Sequence, residues 1–408
     1  MKQPLSDRRI VLAVCGGIAA YKCCELVRML RRCGADVRVA MTEAATRFVT
    51  PLTFEALSGH PVTTSQWSSP EGPIPHITLA SESDLIIVAP ATADMIAKAA
   101  CGIADDLVST MITARHAPAA IVPAMNSFMW NAPANQRNIR TLRQDGFPVW
   151  GPAAGSLACG ETGSGRMLEP AEITELAIRH FCDKPLLGRR VLITAGPTYE
   201  PVDPVRGLTN RSSGAQGFAL AAECARAGAE VTVVAGPCAR ATPLGVKRIN
   251  VTTASEMLAE ALPLARRSDV FIGVAAVCDW RPEQTSAQKL KKEPGVQPPV
   301  LRLAQNEDIL SAVGHLPEGE RPFVVGFAAE TRELLEYARG KLVAKQADMI
   351  VANLAQQAIG AEDNAVEIVT AQGTRSAGPA GKDEIARAII EEIAGRLPAP
   401  ARQNKGGA

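Results

Sequence analysis

Aromatic side chains are scarce in this 408-residue chain, which has 9 Phe, 4 Trp and 3 Tyr. The core must therefore be built from aliphatic and small side chains, a composition that suits close packing of helices on a sheet. An excess of charge is also absent, because 43 Lys and Arg residues face 42 Asp and Glu residues. A sequence-independent nucleic-acid binder needs a basic excess to displace counterions, so the balance argues against that class and favours small-molecule ligands.

Signatures of zinc sites and membrane segments are missing as well. Neither Cys-x-x-Cys nor His-Glu-x-x-His occurs, so the sequence supports no structural or proteolytic zinc site. No run reaches about 18 uninterrupted apolar residues, which argues against a membrane span. Arg8 and Arg9 before the apolar run 10–20 resemble a short signal peptide, but Gly16 and Gly17 interrupt that run. Ten scattered cysteines in a chain of this length predict reduced thiols and a cytoplasmic location.

Two segments of similar design begin at Arg9 and Arg189, each with an apolar strand, a turn, a helix and a second strand. Continuous rather than alternating apolar strands indicate burial on both faces, and hence mostly parallel sheets covered by helices. We therefore expect two doubly wound α/β domains, with a boundary near 183–188, where Pro and Gly occur. The predicted strands are 10–15, 37–41, 85–89, 120–123 and 147–150, then 191–195, 231–234, 270–275, 323–327, 349–352 and 366–370.

Small and hydroxyl-bearing residues follow three successive predicted strands of the first half. They are Gly16-Gly17-Ile18, Thr42, and Pro90-Ala91-Thr92-Ala93. Backbone amides and hydroxyls at the carboxyl ends of parallel strands can bind a phosphate, although a turn with two glycines also has a purely structural explanation. Because Gly-x-Gly-x-x-Gly is absent, the pattern predicts a mononucleotide site rather than a dinucleotide site.

Two further motifs of the first half combine small and reactive side chains. Pro123-Ala124-Met125-Asn126 is followed by Met129, and Ala158-Cys159-Gly160 begins a glycine-dense stretch to residue 167. That stretch has the composition of a loop that closes over a substrate, where an exposed Cys159 is a candidate proton donor. Cysteines elsewhere are more often small buried hydrophobes. His76 is one of five histidines, and an ordinary hydrogen-bonded imidazole remains open for each.

The second half has its own polar segments after predicted strands. Three prolines lie between strand 191–195 and the next helix, in a loop that contains Arg206 and Asn210. Lys289, Lys291 and Lys292 would most often form a solvated basic loop. Here they follow an apolar strand and Asp279, and lysines beside an aspartate suit a triphosphate with its Mg²⁺. Lys341 and Lys345, four apart on a predicted helix, repel each other unless an anion lies between them.

Together these motifs resemble the bacterial bifunctional phosphopantothenoylcysteine decarboxylase / phosphopantothenate-cysteine ligase family of coenzyme A biosynthesis, from about residue 8 to about 396. The first half is similar to flavin-containing cysteine decarboxylases in Gly16–Lys22, His76, Ala89–Ala93, Pro123–Asn126 and Ala158–Gly160. The resemblance implies a flavodoxin-like decarboxylase domain over 1–187 and a Rossmann-like ligase domain over 188–397. Residues 398–408 show no periodicity, which predicts a disordered tail. It also implies a homododecamer built from decarboxylase trimers and ligase dimers.

For the first half, the resemblance implies that FMN oxidises the cysteinyl thiol to a thioaldehyde, which supplies the electron sink for loss of CO₂. It assigns His76 as base or orienter, Asn126 to the substrate carboxylate and Cys159 as the acid that protonates the enethiol. Met129 is a further substrate contact. The implied FMN contacts are Gly16, Gly17, Ile18, Thr42, Pro90, Ala91, Thr92, Ala93 and Ala124.

For the second half, the resemblance implies that CTP activates phosphopantothenate as an acyl-cytidylate, which the amine of cysteine attacks. Asn210 would stabilise that intermediate, with Arg206 nearby, and Lys289 would act from a mobile basic segment as pyrophosphate leaves. Asp279 is the implied Mg²⁺ ligand. The implied CTP contacts are Gly273, Val274, Ala275, Asp279, Lys289, Asn306, Glu307, Asp308, Ile309, Phe327, Lys341 and Lys345. Glu307 departs from the proline common in bacterial relatives, which puts CTP affinity in doubt.

Two other readings use the same residues. One is a relative of the flavin prenyltransferases or peptidyl-cysteine decarboxylases fused to a nucleotide-binding domain, against which Asn126, Cys159 and the second-half motifs argue. The other is a flavoprotein regulatory subunit that binds a phosphatase and catalyses nothing. Loss of His76 or Cys159 would favour the regulator, and both residues are present.

Overall fold

The computed structural model describes residues 3–67, 74–156, 160, 162–291, 297, 299–330, 333–354 and 363–398. The chain divides into two compact units, Met1–Phe181 and Cys182–Ala408. No helix within the described ranges is long and apolar enough to cross a membrane. The predicted tail lies outside the described residues, except for Pro398.

The first unit contains a sheet of four parallel strands in the order β2-β1-β3-β4. The strands are β1 (Arg9–Val14), β2 (Asp36–Met41), β3 (Leu85–Ala91) and β4 (Ala119–Pro123). Every residue of β3 and of β4 is buried, as continuous apolar strands require when helices cover both faces. The helices are α1 (Lys22–Arg32), α2 (Pro51–Ser58), α3 (Pro75–Glu82), α4 (Ala93–Cys101), α5 (Leu107–Thr113), α6 (Ser127–Asn131), α7 (Pro133–Gln144) and α8 (Pro170–Phe181).

The predicted strand 147–150 is the one element of the first unit that the structure does not form. Only an isolated bridge joins Ile121 to Val149 there. Pro148 has no backbone N–H to donate, so a regular ladder is interrupted at that point. A two-stranded hairpin of β5 (Ala153–Ser156) and β6 (Thr162–Arg166) follows instead.

The second unit contains an eight-stranded sheet in the order β11-β10-β7-β12-β15-β16-β17-β18. Its strands are β7 (Arg190–Ala195), β10 (Glu230–Ala235), β11 (Val246–Asn250), β12 (Val270–Gly273), β15 (Phe323–Glu330), β16 (Met349–Leu354), β17 (Asp363–Thr370) and β18 (Gly373–Gly381). The first six are parallel, and β17 and β18 are antiparallel at one edge. Both units are thus α/β with parallel strands, which confirms the predicted fold class.

Helices and two small hairpins complete the second unit. The helices are α9 (Ala215–Arg226), α10 (Ala254–Ala265), α11 (Ile309–Gly314), α12 (Leu334–Ala344) and α13 (Lys382–Arg396). The hairpins pair β8 (Tyr199–Pro201) with β9 (Gly207–Thr209), and β13 (Trp280–Pro282) with β14 (Leu303–Gln305). One apolar cluster packs α9 and α13 against the sheet, and a second packs α10 and α11. Leu186 is buried in the first of these clusters.

Candidate active sites

A cavity of about 650 Å³ lies in the first unit, at the carboxyl ends of β1, β3 and β4. It is lined by glycines, apolar side chains and a few polar groups: Gly16, Gly17, Ile18, Ala19, Tyr21, Lys22, Thr92, Ala93, Ala124, Met125, Asn126, Met129, Gly165, Arg166 and Met167. The motifs after three strands therefore meet at one place, where ligands of open α/β sheets bind.

The backbone at Gly16 approaches Ala44 closely. A Cβ added at Gly16 would lie 2.9 Å from the carbonyl carbon of Ala44, a distance that real Cβ atoms essentially never show. Gly17 precedes a 3₁₀ turn over Ile18–Tyr21 and provides no side-chain cap for it. The turn thus presents bare backbone to the cavity.

Two predicted hydroxyl residues serve as caps at the same sheet edge. Thr92 Oγ1 accepts a bond from Met95 N at 3.3 Å, and Thr42 Oγ1 accepts one from Ala45 N at 3.2 Å. A hydroxyl that accepts one hydrogen bond can still donate another to a ligand. Thr92 lines the cavity, whereas Thr42, Pro90 and Ala91 are not among its lining residues.

Asn126 lies on the cavity wall at the start of α6, where its Oδ1 accepts a hydrogen bond from Phe128 N at 2.8 Å. Strand β6 packs directly against this segment, because Met125 N donates to Gly165 O at 2.9 Å. The hairpin thereby places the end of the glycine-dense stretch beside Asn126. Cys159, the predicted proton donor, lies outside the described residues.

His76 occupies the first turn of α3 and is half-buried. Among the described residues it is not part of the cavity wall. Its Nδ1 is nevertheless buried, with no hydrogen-bond partner in the described part of the chain. A buried ring nitrogen without a partner usually has a functional explanation or an absent ligand.

Two charged residues that line the cavity, Lys22 and Arg166, and their partner Glu169 were given no role by the sequence analysis. Lys22 Nζ lies 2.8 Å from Glu169 Oε1, and Arg166 donates to the same oxygen. Hydrogen bonding from Lys22, and then from Arg166, lowers the pKa of Glu169 against the opposing effect of burial. Lys22 and Arg166 lie in the quoted motifs, but Glu169 is remote in sequence, so no local pattern marked the cluster.

The loop after β7 is tied to the segment that follows β12 in the second unit. Asn210 Nδ2 donates to Ala276 O at 3.2 Å and to Val277 O at 3.0 Å. Asn306 Nδ2 donates to Cys278 O at 2.9 Å. Two predicted site residues thus hold segment 276–278, with Asp279 exposed directly after it.

Strand β12 is shorter than predicted, since it ends at Gly273 rather than at residue 275. Val274 N still donates to Thr194 O at 3.2 Å, and beyond it an isolated bridge joins Ala276 to Pro197. Asp279 therefore lies on an irregular segment just before β13 rather than at the end of a sheet strand.

Arg206 hydrogen-bonds to Asp203, three residues before it, and to Leu290 in the basic segment around Lys289. It donates to the buried carboxylate of Asp203 and, at 2.6 Å, to Leu290 O, next to Lys289. The pKa of Asp203 is lowered, first by the hydrogen bonds from Arg206. Lys289 and Lys291 are exposed, and Lys292 lies outside the described residues.

The remaining predicted nucleotide contacts surround α11 and the end of α12. Asp308 caps α11 by accepting from Ser311 N at 2.7 Å, and Lys345 Nζ lies 2.9 Å from Asp308 Oδ2. Lys345 directly follows α12, which contains Lys341. Glu307 is exposed, Ile309 is buried, and Phe327 lies half-buried on β15.

Within the described ranges, no group of three or more His, Cys, Asp or Glu residues could hold a metal ion. Mg²⁺ is commonly bound by one or two carboxylates together with substrate phosphates, so Asp279 alone is compatible with that mode. Burial raises the pKa of the Cys15, Cys23 and Cys224 thiols, which makes these cysteines poor nucleophiles and acids at neutral pH.

Comparison with known proteins covers both units. Residues 1–181 match the family model described as Flavoprotein, and residues 186–397 match the DNA/pantothenate metabolism flavoprotein C-terminal domain. The chain is 47% identical over 395 residues to the coenzyme A biosynthesis bifunctional protein CoaBC of Vibrio cholerae, spanning 96% of this chain and 99% of that one. The Escherichia coli protein of the same name is 46% identical over 398 residues, covering 96% and 98%.

A solved structure of the C-terminal domain of a CoaBC protein is 38% identical, with a TM-score of 0.46, and covers 53% of this chain and 98% of that one. The identities to the full-length relatives confirm the resemblance that the motifs indicated. The chain belongs to the CoaBC family and is a bifunctional enzyme of coenzyme A biosynthesis.

Proposed function

We propose that the first unit decarboxylates phosphopantothenoylcysteine with FMN, and that the second unit forms this compound from phosphopantothenate, cysteine and CTP. The observation that carries the first assignment is the cavity that brings Gly17, Thr92 and Asn126 together. The second rests on the cluster of Asn210, Arg206 and Lys289 beside the segment after β12.

The residues of the first unit fit a flavin mononucleotide. A cavity of about 650 Å³ lies within the range of roughly 300–1,000 Å³ that cofactor sites occupy. Its wall is largely apolar, as an isoalloxazine ring requires, and the backbone of Gly16 and Gly17 on that wall can bind a phosphate. Thr92 and Asn126 add polar groups to that wall, which can orient a ligand.

FMN held beside Gly17 and Thr92 would supply reversible two-electron redox chemistry for the cysteinyl substrate. The chain would hold the substrate carboxylate through Asn126, next to an apolar contact from Met129. The His76 imidazole, whose Nδ1 has no partner in the described chain, is suited to accept the thiol proton. Cys159 would give its proton to the enethiol carbon after CO₂ has left, and a closed loop over the site would exclude water from that species.

In the second unit, a carboxylate oxygen of phosphopantothenate attacks the α-phosphorus of CTP and pyrophosphate leaves. The amine of cysteine then attacks the acyl carbon, and CMP leaves with the electron pair of the broken C–O bond. Lys289 is exposed at the site and suited to stabilise the charge of the departing pyrophosphate. Asp279, when Mg²⁺ is bound, would supply one carboxylate to an ion held mainly by the triphosphate.

The proposal includes a homo-oligomer of decarboxylase trimers and ligase dimers in the cytoplasm. Exposed apolar residues of the first unit, including Phe128 (77% exposed) and Leu52 (71% exposed), provide surface for such association. The domain limits 1–187 and 188–397 stay predictions. The roles given above to individual site residues are part of the proposed function.

The experiment is to incubate the purified protein with phosphopantothenate, cysteine, CTP and Mg²⁺ while following CMP and CO₂ separately. Both products are expected. CMP without CO₂ would leave only the ligase, and CO₂ solely from added phosphopantothenoylcysteine would leave only the decarboxylase. Formation of neither product would favour the regulatory reading, and a yellow preparation with a flavin absorption band is the first check.

A further inference from the structure

Asp203 is a buried carboxylate that accepts a hydrogen bond from Leu290, which lies between Lys289 and Lys291 in the basic segment. It is 1% exposed, and its Oδ1 accepts from Val205 N at 2.8 Å and from Arg206 N at 2.9 Å. Its Oδ2 accepts from Arg206 Nε at 2.9 Å and from Leu290 N at 3.1 Å. Such a burial requires full pairing of the charge, and the carboxylate meets that requirement by gathering two segments 87 residues apart.

The Arg206 side chain also hydrogen-bonds to Leu290. The guanidinium binds Asp203 and also donates to Leu290 O at 2.6 Å, so both backbone groups of Leu290 are held by one ion pair. Leu290 lies between Lys289 and Lys291, whose side chains are exposed. Fixing its N–H and C=O restricts the backbone dihedrals that decide where the Lys289 ammonium points.

Two further hydrogen bonds join the residues that precede Lys289 to the loop that contains Asp203. Ser286 N donates to Val202 O at 3.0 Å, and Thr285 Oγ1 donates to Pro201 O at 3.0 Å. Segment 285–290 is therefore joined to segment 201–206 by several hydrogen bonds. Those from Asp203 and Arg206 reach Leu290, the residue next to Lys289. An exposed lysine on an untethered loop would lose several rotatable bonds on binding a triphosphate, and the tether removes part of that cost.

The geometry points to Asp203 as a positioning residue for CTP-dependent ligation, which acts by holding Leu290 and thereby placing Lys289. The inference rests on the proposed function of the second unit. Because it is buried, Asp203 does not touch substrate, and its effect passes through Lys289. A misplacement of about 1 Å caused by a change away from the reacting atoms can lower a rate about 100-fold, so a loss of at least about tenfold in kcat is expected.

The test is the rate of CMP release by Asp203→Asn, Lys289→Gln and the double variant, in steady-state reactions for kcat and KM and, for the slow variants, in single-turnover reactions with enzyme in excess. Asp203→Asn alone should lower kcat by at least about tenfold, with the KM for cysteine unchanged. In the Lys289→Gln background, Asp203→Asn should lower the rate less than about twofold, because the ammonium that Asp203 places is already absent. Effects that multiply would show that Asp203 acts independently of Lys289 and would overturn the inference.

Glu223→Gln is the matched control. Glu223 is another buried carboxylate of this unit that pairs with an arginine three residues later, Arg226, and its second ion-pair partner is Arg387. This variant should release CMP at the wild-type rate, so an equal loss in both variants would mean that breaking any buried pair suffices.

Leu290→Pro covers the case in which Asp203→Asn does not fold. It removes the amide that donates to Asp203 but leaves the Asp203–Arg206 pair, and it should reproduce the loss of kcat. Wild-type CMP release by the folded variants contradicts the positioning role. Failure of the proposed function is distinct, because the wild-type protein itself would then release no CMP.

Discussion

Lys345 Nζ lies 2.9 Å from Asp308 Oδ2, so two residues proposed to surround the nucleotide form an ion pair with each other. Lys341 and Lys345 were expected to repel unless an anion lay near them. For Lys345 the structure supplies a carboxylate. The same carboxylate caps α11, because its other oxygen accepts from Ser311 N.

Asp308 therefore has two separable roles in stability. Asp308→Asn removes the charge that pairs with Lys345 but keeps a good helix cap, whereas Asp308→Ala removes both. Because the ion pair is partly exposed, the Asn variant should lose at most about 1 kcal/mol of unfolding free energy. The Ala variant should lose about 1 kcal/mol more. Urea unfolding of both variants measures the difference, and equal losses would show that the cap contributes nothing.

The pKa shift of Glu169 predicts a pH dependence for the first unit. Since Lys22 and Arg166 hold the pKa of the folded carboxyl below its ordinary value of 4.5, the folded state favours the ionised form. Its contribution to stability is then present above pH 4.5 and is lost as the pH falls through the folded pKa. Hydrogen exchange of α8 in wild type and Glu169→Gln should differ at neutral pH and converge in acid. A difference that grows in acid would contradict the assignment.

Gly16 and Gly17 should respond differently to alanine. A Cβ at Gly17 would meet Thr92 Cγ2 at 3.7 Å and Pro90 Cγ at 3.8 Å, which is ordinary van der Waals contact, but Gly17 lines the cavity. Gly17→Ala should therefore fold as the wild type does and yet bind flavin at least about tenfold more weakly, because backbone and phosphate can no longer approach closely.

Gly16→Ala provides the contrast, since its Cβ would overlap Ala44 and force a backbone shift. That variant should lose both thermal stability and flavin. Flavin absorbance relative to protein absorbance, measured with the melting temperature, checks both variants. Full flavin content in Gly17→Ala would mean that the cofactor does not approach this turn.

The sequence predicted the buried strands well because their apolar character is continuous. Strands β3 and β4 of the first unit and most of β7 are buried. In an α/β chain, a short continuous apolar run is typical of a parallel strand that helices cover on both faces. Strand β18 was missed because its sequence, GTRSAGPAG, carries neither alternation nor β-branched runs. It is a strand because the antiparallel ladder of β17 lies beside it.

The candidate sites were predictable where a motif is local and not where a contact joins distant segments. Gly17, Thr92 and Asn126 follow strands whose carboxyl ends must meet at one edge, so their convergence in the cavity follows from topology. The Lys22–Glu169 pair joins residues 147 apart, and the Asp203–Leu290 bond joins residues 87 apart. Such pairs depend on how loops fold back, which hydrophobic periodicity does not encode.

Under the proposed function, one chain carries two independent active sites, and reciprocal substitutions in them separate the two activities. Lys289→Gln should slow release of CMP from phosphopantothenate, cysteine and CTP to a small residual rate, while decarboxylation of added phosphopantothenoylcysteine continues at the wild-type rate. Cys159→Ser should retain its flavin and form CMP, but stall at the oxidised product and release no phosphopantetheine. Loss of both activities in either variant, or normal turnover by Cys159→Ser, would contradict the account.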